Sequence, residues 1–251
     1  MLRNINDFME CTVGATDGHV GKVCDAYFDE EAWVVRYLAV DTSLLAQNRR
    51  VLIPAKVAGV PQWGEHLMFV SLSTEQISNS PHTELHSPVS RQQALACLDY
   101  YTGLGYAGAR AEYQRSRALN ALEDSVAGPR LRGEDDPHLR SVNEVVSYHL
   151  RAIDGDIGTI SGLLIDQQAW AIRFIIVRTG HWWTGHDILI APESIDEVFW
   201  GEASVVVALT RAAVRSSPPF DESLMVYNLG GERSYEHHDL AEHGSIAERR
   251  Q

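Results

Sequence analysis

No apolar run in this chain approaches the roughly 18 residues needed to cross a bilayer as a helix, so no membrane span is expected. The opening from Met1 to Asp7 lacks the apolar stretch of a secretory signal. Cysteine is scarce and odd in number. Cys11, Cys24 and Cys97 make no CxxC pair, which fits a reducing cytoplasm better than a disulfide scaffold. Positive charge is short as well: 21 Lys and Arg stand against 34 Asp and Glu, a formal net charge of −13. No basic cluster exceeds Arg49-Arg50 and Arg249-Arg250. A phosphate backbone repels such a chain, so nucleic-acid binding is not expected.

What is present is a recurrence. Asp17-Gly18-x-x-Gly21, Asp29, Trp33, Arg36 and Val40 return as Asp154-Gly155-x-x-Gly158, Asp166, Trp170, Arg173 and Val177. The register holds from Ile5 opposite Val142 to Val40 opposite Val177. It slips by one residue at Pro54 and Pro192, then returns at Val70 and Val207. Each unit of about 80 residues is large enough for a small core of its own.

Within a unit the signals are those of strands and turns. Asp17-Gly18 and Asp154-Gly155 predict hairpin turns with a positive glycine dihedral, and Gly21 and Gly158 predict a bulge or a close backbone approach. Strands are expected over 20–29, 33–41, 50–57 and 67–72, and again over 157–166, 170–179, 187–195 and 204–209. Shorter ones are expected at 12–14 and 150–152. Ala26 and Phe28 are expected on one face with Val23 and Tyr27 on the other, and likewise Leu163 and Ile165 against Ile160 and Leu164. Both faces are apolar, so the outer one needs cover from a helix, the sister unit or a partner. Ser90 and Gln93 open a helix expected over 91–101, stopped near Gly103 and Gly105, and a second helix is expected over 109–126. The expected fold is mainly β: two small antiparallel barrels at 1–81 and 138–218, a helical linker at 82–137 and a C-terminal extension at 219–251.

The run from Cys11 through Asp17-Gly18-x-x-Gly21-x-Val23, Asp29 and Trp33 to Leu52-Ile53-Pro54 resembles the PRC-barrel family. Asp154 to Gly158, Asp166, Trp170 to Arg173 and Leu189 to Pro192 resemble it a second time, and Pro88 to Arg91 with Tyr100-Tyr101 is similar to the segment after the barrel in free-standing bacterial members. The family includes the cytoplasmic domain of the photosynthetic reaction-centre H subunit and a domain of a ribosome maturation factor. The resemblance implies a tandem pair of PRC-type barrels serving protein contacts, with no catalytic set. The H subunit brings a membrane helix ahead of its barrel and the maturation factor a different β domain, so neither specific role transfers whole.

Individual residues add little chemistry. His181, His186 and Asp187 can supply metal ligands, but a rigid third or fourth ligand is missing, and Trp182 and Trp183 make a covering loop or a partner anchor the plainer reading. Arg36 and Arg173 are expected to pair with Asp29 and Asp166, and Trp33 and Trp170 to close barrel ends. His237, His238 and His243 read as a solvated terminus. Cys24 reads as a buried hydrophobe, and Cys11 and Cys97 have no nearby base. Asp17 to Gly21 has too few glycines for a phosphate loop, while Glu30-Glu31 and Asp135-Asp136 read as solvated loop acids. No catalytic, cofactor-binding or metal residue is assigned, and no cofactor is expected. The expected function is a non-enzymatic, cytoplasmic protein-binding or scaffold protein, with a protein partner and a homodimer as one geometry. A small-molecule or ion sensor using a cleft between the barrels, or a ribosome-assembly accessory protein, is the alternative.

Overall fold

The computed structural model describes residues 1–45, 49–83, 91–106, 139–180, 185–217 and 220. The expected helix over 109–126 and the 131–137 part of the linker lie outside them. In the N-terminal half, β1 (Leu2–Asn4) runs into helix α1 (Ile5–Met9), where the Asn4 side chain accepts the Asn6 N–H at 3.1 Å. Then come β2 (Thr12–Gly14), β3 (His19–Asp29), β4 (Val34–Asp41), β5 (Arg50–Pro54), β6 (Leu67–Phe69), α2 (Thr74–Ser78), β7 (His82–Thr83) and α3 (Arg91–Gly103). The C-terminal half runs through β8 (Leu139–Ser141), α4 (Val142–Val145), β9 (His149–Ala152), β10 (Gly155–Asp166), β11 (Ala171–Thr179), β12 (Asp187–Ile190), β13 (Ile195–Phe199), β14 (Ser204–Val207) and α5 (Arg211–Ser216).

Local chemistry accounts for the long hairpins. Val35 to Val40 in β4 are buried without interruption, as a strand covered on both faces requires. At Gly21 an added Cβ would lie 1.6 Å from the Asp41 carbonyl oxygen, and at Gly158 it would lie 2.0 Å from that of Arg178, so only glycine admits the neighbouring strand. Of the two Asp-Gly pairs only the second has the expected positive dihedral, at Gly155 (φ +143°). The Asp of each pair instead ties the hairpin to a helix start. Asp17 accepts the Thr74 N–H at 2.7 Å, and Asp154 accepts that of Arg211 at 2.7 Å.

The expectation of two closed barrels is corrected. All 14 strands of the described residues belong to one sheet, whose main path β13-β14-β9-β10-β11-β4-β3-β2-β6 has two ends, so neither a barrel nor a pair of barrels is formed. Two features keep it open. The ladder after β5 and after β12 is interrupted by single 3-10 turns, Ala55–Val57 and Pro192–Ser194. The sheet also runs on from one half into the other: Val34 pairs with Ala171, the Val35 N–H donates to Trp170 O at 2.8 Å and the Ile172 N–H to Trp33 O at 2.7 Å.

Leading strands are exchanged around this crossing. β1 pairs with β10, placing Leu2, Arg3 and Asn4 opposite Asp166, Ile165 and Leu164. β8 pairs with β3, placing Leu139, Arg140 and Ser141 opposite Asp29, Phe28 and Tyr27. One core follows from the exchange. It runs from Ile5 and Phe8 to Val207 and Val214, and the Phe8 ring meets Trp63 at 4.9 Å and Trp170 at 5.2 Å between centroids.

The face assignment holds for Ala26, Phe28, Leu163 and Ile165, which enter this core, and for Tyr27 and Leu164, which leave it. It fails for Val23 and Ile160, which are also in the core. Register shifts between Val23 and Asp25 and between Ile160 and Gly162 add one residue, Cys24 or Ser161, and so reverse the alternation.

Candidate functional site

The charged groups singled out by the recurrence are occupied by the fold. Asp29 Oδ1 accepts the N–H groups of Glu31 and Ala32 at 3.1 and 3.0 Å, and Asp166 Oδ1 those of Gln168 and Ala169 at 2.9 and 3.3 Å. Both carboxylates close the turns that place Trp33 and Trp170 at positive φ, 51° and 57°. Arg36, buried, bonds Asp29 at 3.0 Å as expected. Arg173 is exposed, and the N-terminal ammonium lies 4.0 Å from Asp166. Trp33 and Trp170 therefore sit at the crossing between halves rather than at barrel ends.

In the loop that carried the metal reading, positions 181–184 lie outside the described residues, including His181, Trp182 and Trp183. Asp187 is engaged by Arg178 through two bonds of 3.0 and 3.1 Å, which uses both carboxylate oxygens. The His186 carbonyl accepts the Thr179 hydroxyl at 2.8 Å. Among the described residues no group of three or more His, Cys, Asp or Glu is arranged around a metal position. His237, His238, His243, Asp135 and Asp136 are outside the described residues.

Thiol chemistry is suppressed by burial. Desolvation first, then the charges of Asp7 and Glu10, push Cys11 up to about 11, and desolvation alone pushes Cys97 up to about 12. Cys24 is half-buried, is also raised chiefly by desolvation, and points its thiol at Ala39 O at 3.4 Å. Such thiols stay protonated at neutral pH and are poor nucleophiles.

Sequence reading missed the residues that join the halves. Glu30, expected to be a solvated loop acid, is mostly buried in an ion pair with Arg140 at 2.6 Å, and the Arg140 guanidinium lies 4.1 Å from the Trp200 ring centroid. Arg3 stands over Trp63 in the same way at 4.6 Å. Arg3 and Trp63 recur as Arg140 and Trp200 in the common register, a signal open to inspection. Asp25 is 4 % exposed and accepts the Ser141 hydroxyl at 2.7 Å and the Asn143 N–H at 3.2 Å, which fastens the start of the C-terminal half to β3. Desolvation raises its pKa, against the opposing bonds from Ser141, Asn143 and Ala26 and the charge of Arg50.

Two surface features remain. A groove of about 560 Å³ is lined by Asp154, Arg211, Ala212, Arg215 and Ser216. It lies at the second Asp-Gly turn, whereas the junction where a sensor cleft was expected is packed by Phe8, Trp63 and Trp170. The other is apolar: Val60 is 58 % and Phe69 47 % exposed, beside the bond from the Gly59 N–H to Phe69 O. No described helix is long and apolar enough to cross a membrane.

A search of curated proteins finds no match to this chain. A family model does match, the PRC-barrel domain over residues 3–72, which takes in the chain from β1 to just past β6 and includes Val60 and Phe69. The similarity of 138–218 to that family, and any kinship with the reaction-centre H subunit, are not part of this match. The Asp29, Glu30, Asp166 and Asp187 carboxylates are engaged in bonds within the fold, and the Cys11 and Cys97 thiols are buried. Residues 3–72 of this chain are similar to the PRC-barrel domain.

Proposed function

We propose that the chain is a non-enzymatic protein-interaction protein, and that its partner is met by the exposed Val60 and Phe69 of the PRC-barrel domain. The family match carries the reading. An exposed valine and phenylalanine on adjoining backbone segments support it, because apolar side chains held at a surface contribute most when a partner removes them from water. The net charge of −13 favours a partner with a basic contact surface.

The reading is tested by isolating the tagged protein from its own cells, purifying the main captured protein and measuring its binding to the unaltered chain and to Val60→Asp/Phe69→Asp. We expect at least a tenfold loss of affinity in the double variant, with unchanged affinity in Trp182→Ala/Trp183→Ala. The reverse pattern moves the contact to the 181–187 loop. Binding that neither variant disturbs removes both surfaces, and sedimentation across a concentration series shows whether the partner is a second copy.

A further inference from the structure

The sheet ends at β13, and the two halves treat that position differently. In the common register β13 answers to residues 58–62: Trp63-Gly-Glu65 and Trp200-Gly-Glu202 both form 3-10 turns, and the next residues, His66 and Ala203, share a positive φ of 48° and 49°. In the N-terminal half this stretch carries Gly59 and Pro61 and meets its neighbour through two isolated bridges, Ala58 with Val70 and Gln62 with Leu67. Proline has no N–H to offer a further strand, which blunts that edge. In the C-terminal half Val198 takes the place of Pro61, and the stretch is a regular strand paired with β14. Among the described residues no strand lies on its other side. Ile195 and Val198 pack against the core, whereas Asp196, Glu197 and Phe199 are exposed. Glu197 and Phe199, opposite Val206 and Ser204, share one face of the strand. No ion pair or side-chain hydrogen bond engages Asp196 or Glu197 among the described residues.

We propose that the outer edge of β13 takes up an extended segment of a partner protein, in which a Lys or Arg side chain faces Glu197 and an apolar side chain two positions away covers Phe199. Main-chain N–H and C=O groups along an unpaired edge supply the pairing, and alternate side chains supply the choice of partner. The acids decide which strand is admitted. Two β13 edges set side by side about a two-fold axis bring Asp196 and Glu197 of one copy against those of the other, and like charges directly opposite are destabilising. A basic strand meets the same two carboxylates with attraction instead. Glu197 stands at the register position of Val60, so the two halves carry an acidic and an apolar surface at equivalent places. The β13 contact is a separate one and stands independently of that at Val60 and Phe69.

Backbone-amide NMR of the full chain tests it, with a synthetic Thr-Val-Thr-Lys-Thr-Val-Thr peptide as the probe and the same peptide with Glu in place of Lys as the control. The amides of 196–199 are expected to shift on adding the Lys peptide, which should bind about tenfold or more tightly than the Glu peptide. Glu197→Lys, a change at an exposed side chain, should reverse that order. Val198→Pro, which puts proline where the other half has Pro61, should abolish binding of both peptides with the acids still in place. Unmoved amides at 196–199, equal binding of the two peptides, or an order that Glu197→Lys leaves intact overturns the proposal. So does full binding by Val198→Pro, which would leave charge attraction without strand pairing. Shifts at 196–199 that grow with protein concentration alone would make a second copy the occupant and overturn it as well. Should Val198→Pro disturb amides of 1–83, Glu197→Lys decides alone.

Discussion

At one register position the two hairpins carry the same charge pair with its polarity reversed. β4 and β5 place Asp41 opposite Arg50, and β11 and β12 place Arg178 opposite Asp187. A site built to hold a ligand of one charge would not survive that exchange, whereas a cross-strand pair needs only opposite signs. The outer faces differ more deeply. Beneath α3 the N-terminal layer is partly polar, carrying the hydroxyls of Tyr27 and Tyr37, while its C-terminal counterpart, the cluster of Leu164, Ile176 and Phe220, is wholly aliphatic and aromatic. What the halves share is backbone geometry at the Asp turns, the bulges and the glycine approaches. What they do not share is what covers them.

The shared geometry is the most vulnerable. Gly21→Ala and Gly158→Ala each drive a methyl group onto a backbone carbonyl of the adjacent strand, and each is expected to cost about 3 kcal/mol or more in chemical denaturation. Because a single core spans both halves, each variant should unfold in one transition rather than two. Separate transitions for the halves would break the claim that the crossing and the exchanged strands bind them into one unit.

The covering helix comes next. Tyr101→Phe removes a hydroxyl that bridges Leu52 O and Ser80 Oγ in a buried site, and a loss of about 1–2 kcal/mol is expected. Phe220→Leu keeps an apolar side chain in the cluster and should cost less than about 1.5 kcal/mol. An equal or larger loss at Phe220 would show that the C-terminal face depends on its edge residue as heavily as the N-terminal face depends on a whole helix.

Much of this frame was legible from residue order. Alternating apolar runs marked β3, β4, β10 and β11 to within a residue or two, and the N-cap pattern marked α3. The failures share a cause, dependence on distant pairing. β1 and β8 are three residues each, too short for any periodicity, and their partners lie in the other half. Strand patterning is indifferent to whether a sheet closes on itself or continues into a neighbour, and Val34 meeting Ala171 decided that here. Glu30 read as solvated because its partner Arg140 is 110 residues away. Val23 and Ile160 were misassigned because a bulge is invisible to a rule of strict alternation.

Asp25 separates the halves electrostatically, since the same register position in β10 is Gly162. Desolvation raises the Asp25 pKa above 3.8 in the folded chain, so the folded state holds this proton more tightly than the unfolded one. The group's contribution to stability therefore improves as pH falls through the folded pKa and is lost as pH rises through it. Asp17 has the opposite sign. The Thr74 N–H lowers its pKa, and its contribution is present above 3.8 and lost on acidification through the lower folded value. In urea titrations at a series of pH values, the stability margin of the unaltered protein over Asp25→Asn should stay level from neutral pH down to the folded pKa and widen as pH falls from there to 3.8. The margin over Asp17→Asn should shrink as pH drops below 3.8. A flat margin for Asp25→Asn would mean that the bonds from Ser141 and Asn143 offset its burial completely.

The smallest effect is the most direct trial of the reversed pair. Arg178 is 64 % exposed at its side chain, so the bond to Asp187 is worth at most about 1 kcal/mol after solvent screening. Arg178→Asp alone sets two carboxylates opposite each other, and Asp187→Arg alone sets two guanidinium groups opposite each other. Each is expected to cost up to about 1 kcal/mol. Arg178→Asp together with Asp187→Arg reproduces the polarity of Asp41 and Arg50, and its stability should return to within about 0.5 kcal/mol of the unaltered chain. A double variant no better than the single ones would show that the pair is held by its surroundings in one polarity. Charge at that hairpin would then be a specific feature of the C-terminal half, and the two hairpins would no longer be interchangeable at this position.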